Sequence, residues 1–268
     1  MIHLPWAPHH VGSSPRRSAG ERGDRARLKA EWKERNTLAI RYVAFDGDDT
    51  LWHNETRFNL TQSALRDLIR RHVPDADVDS ELAEVEKRNL GLYGYGVKAF
   101  TLSMLETAIQ VTKGRIPTAD LEVILGWGKR MLGEPTELLD GVEDALRDAG
   151  SRYELLLITK GDLFDQESKL ARSGLADMFS GIEILSEKNV ETYRAVLRRR
   201  GIDPNEFVMV GNSLRSDIAP VVALGARGVH VPYPLTWAHE QVPEDSLPRE
   251  GWHRLASITQ LGALLETL

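Results

Sequence analysis

The chain has 268 residues, no cysteine and a formal net charge of −6 at neutral pH. That length holds one α/β domain or a domain carrying a sizeable insertion, and the missing cysteine excludes disulfides and thiolate metal sites and fits a reducing, cytoplasmic setting. The acidic balance gives no basis for a nucleic-acid partner, and no apolar run approaches the roughly 20 residues needed to span a bilayer, so the expected partner is a small molecule.

Residues 1 to 37 are basic and poor in apolar residues, with His9-His10, Ser13-Ser14-Pro15 and the arginines Arg16, Arg17, Arg22, Arg25 and Arg27. Glu21, Asp24, Glu31 and Glu34 are interspersed, which argues against a transit peptide, and the expectation is a disordered tail leading into a short solvated helix. Ile40 to Phe45 then reads as a buried strand. It ends abruptly in Asp46-Gly47-Asp48-Asp49-Thr50. Carboxylates this close repel one another unless a cation or shared proton offsets the charge, and Mg²⁺, a hard oxygen-seeking ion, is the natural partner. In an extended segment Asp46 and Asp48 project to the same side, while Gly47 lets the backbone come near a ligand. The competing expectation is an acidic turn that caps a helix.

From Thr50 to Glu154 the chain uses about a hundred residues where a parallel crossover needs only a dozen or more. Leu60, Ala64, Leu65, Leu68 and Ile69 mark one amphipathic helix there, Leu102, Leu105 and Ile109 a second, and Leu121, Ile124 and Leu125 a third. The reading is an all-helical cap over residues 55 to 135, inserted into a core made of residues 38 to 54 and 136 to 268. Within it, Gly91-Leu92-Tyr93-Gly94-Tyr95-Gly96-Val97-Lys98 reads as an aromatic loop able to lower Tyr93, Tyr95 and Lys98 over a site, or as a turn packed on its own bundle. His53, Asn54 and Glu55 stand at the hinge.

Beyond the insertion, Val142, Ala145, Leu146 and Ala149 share a helix face that stops at Gly150, and Val190, Tyr193 and Leu197 do the same before Gly201. Apolar runs at Glu154 to Ile158, Ile182 to Leu185, Phe207 to Val210 and Val229 to Val231 read as further strands. Strands alternating with helices of this length predict a doubly wound, mostly parallel sheet. Three strand ends carry chemistry. Thr159-Lys160-Gly161 offers a hydroxyl and free backbone N–H groups to phosphate oxygens, Lys188 offers a point charge, and Gly211-Asn212-Ser213 with Asp217 offers an amide oxygen and another carboxylate. Trp237-Ala238-His239-Glu240 lies where it borders the same mouth, although a lone loop histidine is an ordinary solvated group.

In that order, Asp-x-Asp-x-Thr (Asp46, Asp48, Thr50), the strand-end Thr159, Lys188 and the Gly211-Asn212…Asp217 segment resemble the haloacid dehalogenase (HAD) superfamily over residues 40 to 235, and the position of the insertion resembles its subclass with a C1-type helical cap. The resemblance implies Mg²⁺-dependent hydrolysis of a small phosphomonoester through an aspartyl-phosphate. It implies Asp46 as nucleophile, Asp48 as general acid and base, Thr159 and Lys188 as phosphate holders, and Asp46, Asp48 through its carbonyl, Asn212 and Asp217 on the metal. Thr50, Lys160, Gly161, Tyr93, Tyr95 and Lys98 are the candidate substrate contacts. Two residues depart from the family pattern: Asn212 replaces an acid, and Lys160 follows the motif threonine, where its charge is expected to favour a more anionic substrate. Sugar phosphates, phosphoglycolate and nucleoside monophosphates are the candidate substrates. A 2-haloacid dehalogenase is the alternative, against which Asp48 argues because a halide needs no proton donor; a catalytically weak phosphate-binding regulatory protein is another, suggested by Asn212.

Overall fold

A computed structural model describes residues 40–235, 237, 240 and 242–268; the expectations for residues 1–37, Ala238 and His239 lie outside the described residues. The chain runs through β1 (Tyr42–Phe45), α1 (Glu55–Arg70), α2 (Val78–Tyr93), α3 (Val97–Val111), α4 (Thr118–Gly133), α5 (Val142–Gly150), β2 (Glu154–Lys160), α6 (Leu163–Ser173), β3 (Gly181–Leu185), α7 (Val190–Arg200), β4 (Phe207–Gly211), β5 (Arg227–His230) and β6 (Trp252–Arg254). All strand pairs are parallel and lie in the order β3-β2-β1-β4-β5-β6. This is the predicted doubly wound sheet, and β1 sits at its switch point, with β2 and β3 on one side and β4 to β6 on the other.

Alternation along the strands sorts the core into two layers. Val43, Phe45, Leu155, Leu157, Val208 and Val210 pack with Leu146 and Ala149 of α5, while Ala44, Leu156, Phe207 and Met209 pack with Tyr193, Val196 and Leu197 of α7. Burial on both faces is why these strands read as continuous apolar runs rather than alternating ones. The sixth strand, Trp252-His253-Arg254, is an edge strand with partly exposed polar residues, so no apolar run announces it.

The insertion is helical, as expected, and has its own apolar cluster, which includes Leu65, Leu68, Ile69, Leu82, Phe100, Met104, Ile124 and Met131. Three expectations about it are corrected. Helix α2 had no counterpart, because its stripe of Val78, Leu82, Val85 and Asn89 is embedded in charged residues. Leu60 is 67% exposed and Ile109 45%, and Leu102 and Leu125 are exposed as well, so only part of each expected stripe is buried, Leu65, Leu68 and Ile69 in the first and Ile124 in the third. In α3 the buried face is instead Val97, Phe100, Thr101, Met104, Thr107 and Ala108. Thr101 and Thr107 donate to the carbonyls of Val97 and Ser103 at 2.7 and 2.8 Å, which lets hydroxyl residues occupy a dry interface. Finally, Gly91 to Tyr93 form the last turn of α2 and Val97-Lys98 the first of α3, so the expected aromatic loop shrinks to Gly94–Gly96. Among the described residues no helix is long and apolar enough to cross a membrane.

Candidate active site

The carboxyl ends of β1, β2 and β4 and the loop after β3 meet in a cavity of about 170 Å³ that the insertion roofs over. Asp46, Asp48, Thr159, Lys160, Gly161, Lys188, Asn212 and Asp217 all line it. They are far apart in sequence and adjacent only because a parallel sheet delivers every strand's carboxyl end to one edge.

Asp46 and Lys188 are both buried, and the Lys188 Nζ donates to Asp46 Oδ1 and, at 2.7 Å, to Asp217 Oδ1. Asp217 Oδ2 accepts from the Ser213 N–H at 2.9 Å, and a Cβ on Gly211 would lie 2.2 Å from that oxygen, so the glycine makes room for the carboxylate. Burial pulls the Lys188 ammonium down, but the charges of Asp217 and Asp46 outweigh it and hold the pKa well above its usual value. Burial pushes the Asp46 carboxyl up to about 7 against the pull of Lys188, and the charges of Asp217 and Asp48 add to the rise. One ammonium shared between two carboxylates leaves one negative charge over.

Asp48 projects into the same cavity and is tightly held. Trp52 Nε1 donates to it at 2.6 Å, Gln166 Nε2 at 2.9 Å, and Lys169 Nζ reaches both oxygens at 2.9 and 3.0 Å. Burial lowers the Lys169 ammonium, but Asp48 and Asp165 reverse this and raise it. Lys169 also donates to Asn54 Oδ1 at 2.8 Å. The same Trp52 revises the expectation for Gly47: a Cβ there would stand 2.6 Å from the indole, so Gly47 accommodates Trp52 rather than a ligand. The capping role falls to the third carboxylate. Asp49, at φ 62°, accepts from the N–H groups of Asn54 and Glu55 at 2.9 and 3.0 Å at the start of α1, which leaves Asp46 and Asp48 free of that task. Burial, and then the charge of Asp48, raise the Asp49 carboxyl to about 7.

A divalent cation suits this set. Among the described residues Asp46, Asp48 and Asp217 pair only with Lys188 and Lys169, so the floor keeps an excess negative charge, and every candidate ligand is oxygen. The Thr50 hydroxyl stands 3.3 Å from Asp46 Oδ2 and 3.4 Å from Asn212 Oδ1, which brings the carboxylate and amide oxygens together. Among the described residues no group of three His, Cys, Asp or Glu is arranged around a common metal position. With Asn212 an amide, two carboxylates and water remain, which is an ordinary complement for Mg²⁺.

Several expectations change. Thr50 does not line the cavity; it braces Asp46 and accepts from the Asn212 N–H at 3.0 Å. The Thr159 hydroxyl donates to Gln166 at 3.1 Å and must rotate to serve an anion, and the Gly161 N–H is not free, because it donates to Leu185 O at 3.1 Å. Lys160 is not spare positive charge. It pairs with Glu240, donates to Ser216 at 3.0 Å and lies 4.3 Å from the centre of the Tyr95 ring, so it holds the segment after β5 against the site. Tyr95 does line the cavity and donates to Glu187 at 2.6 Å, beside Lys188. Tyr93 and Lys98 do not: Tyr93 is half exposed in the last turn of α2, and Lys98 pairs with Asp162 at 2.8 Å outside the cavity. His53 turns to Tyr233, 2.7 Å away. Trp237 and Glu240 line the cavity, as expected of that segment, and Gln166, Lys169, Glu86 and Asn89 line it without having been singled out. The available signal was faint: Gln166 and Lys169, three residues apart, put a polar stripe on a helix that begins just after Thr159.

The model of the haloacid dehalogenase-like hydrolases matches residues 40–225. A haloacid dehalogenase-like family hydrolase from Xanthomonas campestris is 38% identical over 85% of this chain and 91% of its own, with a TM-score of 0.77. A 2-haloacid dehalogenase from Pseudomonas syringae is 21% identical over 85% of this chain and 99% of its own, with a TM-score of 0.57. The HAD-hydrolase YfnB of Bacillus subtilis, bound to magnesium, is 19% identical over the same shares, also with a TM-score of 0.57. For the last two the likeness is one of fold. No curated protein matches the chain.

Proposed function

The chain belongs to the haloacid dehalogenase-like hydrolases, and from that premise we propose that it hydrolyses a small phosphomonoester with Mg²⁺, through an aspartyl-phosphate on Asp46. The observation that carries this reading is a second cavity carboxylate, Asp48, held beside the nucleophile by Trp52, Gln166 and Lys169. An alkoxide leaving group needs a proton and a halide does not, so a positioned acid/base fits cleavage of a phosphate ester better than displacement of halide from carbon.

A carboxylate oxygen of Asp46 attacks phosphorus, the bond from phosphorus to the ester oxygen breaks, and Asp48, which takes up a proton from solvent before the step, gives that proton to the ester oxygen. Asp48, now a carboxylate, takes a proton from the water that attacks the phosphoryl group, and the bond to Asp46 breaks to restore the enzyme. Lys188 keeps its proton throughout and offsets charge on Asp46 and the transferring group, while Thr159, once rotated, donates to a phosphate oxygen. Asp46, the Asp48 carbonyl, Asn212 and Asp217 would hold Mg²⁺, which would supply positive charge to offset that of the nucleophile and the incoming anion. A magnesium-bound structural neighbour supports that choice of ion.

The test is phosphate release from p-nitrophenyl phosphate and a panel of phosphorylated metabolites with Mg²⁺. The expected result is turnover that EDTA and Asp46→Asn both abolish. Halide release from a 2-haloacid in EDTA, with no phosphate release under any condition, overturns the reading in favour of a dehalogenase.

A further inference from the structure

The roof of the cavity is charged in the opposite sense to the lysines on its floor. Lys160, Lys169 and Lys188 all come from the core, whereas the insertion contributes Glu55 and Glu86 to the lining and no lysine or arginine. Glu55 begins α1, where its charge suits the helix dipole. Glu86 lies in the middle of α2 and has no such reason to be there. Neither has a cation near it among the described residues: burial pushes Glu55 up to about 7 with Glu86 adding to the rise, and burial alone does the same to Glu86. The contacts they do make are slight. Glu55 accepts from Asn59 at 3.1 Å, and no described donor reaches the Glu86 carboxylate.

A second observation points to a ligand. Asn89, one helical turn beyond Glu86, is 6% exposed and lines the cavity. Its Nδ2 is used by Ser103 at 3.2 Å and Glu106 at 2.8 Å, while its Oδ1 accepts from no described group. The Asn89 amide oxygen and two half-buried carboxylates, all acceptors and all short of described donors, therefore face one space. Phe58 and Phe100, with ring centres 4.9 Å apart, complete that wall with apolar surface suited to a carbon frame. The cavity, at about 170 Å³, has room for on the order of ten waters, and so for a small metabolite.

We propose that Glu55, Glu86 and Asn89 form a subsite for a positively charged nitrogen on the leaving-group side, so that the substrate is the phosphate ester of an amino alcohol or amino sugar. The assignment rests on the phosphatase reading for which end of the ligand meets Asp46. An ammonium supplies donors to all three acceptors and the charge the roof lacks, while its phosphate supplies the anion the floor is built for. A carboxylate-bearing ester such as phosphoglycolate meets two anions there and is a poor fit.

The experiment compares matched pairs that differ in an amine and a hydroxyl: glucosamine 6-phosphate against glucose 6-phosphate, and O-phosphoethanolamine against 2-hydroxyethyl phosphate. In the wild-type enzyme kcat/KM should favour the amino member of at least one pair on the order of ten- to a hundred-fold, as expected for charged hydrogen bonds. Glu86→Gln and the double variant Glu55→Gln/Glu86→Gln should bring that ratio toward one; thermal melting reports that they are folded, and the ratio is its own control for overall activity. A wild-type ratio near one, or a ratio that survives both substitutions, overturns the proposal. The same pairs are titrated calorimetrically into Asp46→Asn, which cannot turn over. Amine preference in binding without phosphatase activity in the wild type upholds the subsite and removes the phosphatase reading, whereas p-nitrophenyl phosphate turnover with no amine preference does the reverse.

Discussion

The floor and roof of the cavity both present buried or half-buried carboxylates, and they treat them differently. On the floor Asp46 and Asp217 share Lys188 and Asp48 holds Lys169, while Asp49 accepts from the N–H groups of Asn54 and Glu55 instead of facing a cation. On the roof Glu55 and Glu86 have no cation beside them among the described residues. The contrast teaches that burial alone does not mark a reacting group. A paired carboxylate is held in one geometry ahead of the chemistry, and an unpaired one stores an electrostatic demand that only a ligand or a proton can meet.

The most severe way to break the comparison is Asp46→Asn, which should reduce phosphate release by roughly 10³-fold or more while the protein still melts cooperatively. Surviving activity would mean that the floor is not where bonds are made. Next comes Lys169→Met, which removes the ammonium that fixes Asp48. It should lower kcat by about 10²-fold with a smaller change in KM, and should displace one limb of the pH–rate profile, whereas roof substitutions should act on selectivity between substrates. A uniform rise in KM for Lys169→Met would erase that division.

A smaller effect tests how the floor is packed. Gly47→Ala places a methyl 2.6 Å from Trp52, whose indole donates to Asp48, and overpacking of this kind costs about 1–3 kcal/mol, readable as a lower urea midpoint. The smallest effect belongs to the roof. Glu55 and Glu86 are raised to about 7 in the folded protein, so folding takes up protons above the unfolded carboxylate range. Their contribution to stability is fully present below about pH 4 and is lost as pH rises through about 7, the reverse of a salt-bridged carboxylate. Melting temperatures measured between pH 5 and 8 should therefore fall less in Glu55→Gln/Glu86→Gln than in the wild type; equal slopes would show that the two groups are not confined in the way described.

Of the six described strands, β1, β2, β4 and β5 were legible as apolar runs because the sheet buries them on both faces; the edge strand β3 was legible through Ile182, Ile184 and Leu185 although it is partly exposed, and the edge strand β6, Trp252-His253-Arg254, has no such run. The insertion was legible from the length of one connection. Its buried faces were not: the threonines of α3 satisfy their hydroxyls on their own helix, so polarity there does not report exposure. Lys160 illustrates the same limit at the site. Its position beside Thr159 pointed to free charge near a phosphate, and Glu240, eighty residues later, cancels that charge.

What the sequence determined by itself is the set of groups attached to strand ends: Asp46, Asp48, Thr159, Lys188, Asn212 and Asp217. A residue that closes a buried apolar run in a parallel sheet has one place to go, so local order carries global position. What only the tertiary structure decided is how each of those groups is accompanied: Lys169 and Gln166 at Asp48, Trp52 over Gly47, and Glu86 and Asn89 above them all. Apart from Trp52, which precedes α1, those partners sit on helix faces, where a charged or amide side chain looks the same in sequence whether it meets solvent or a cavity. The difference arises only when two elements distant along the chain pack together and take the water away.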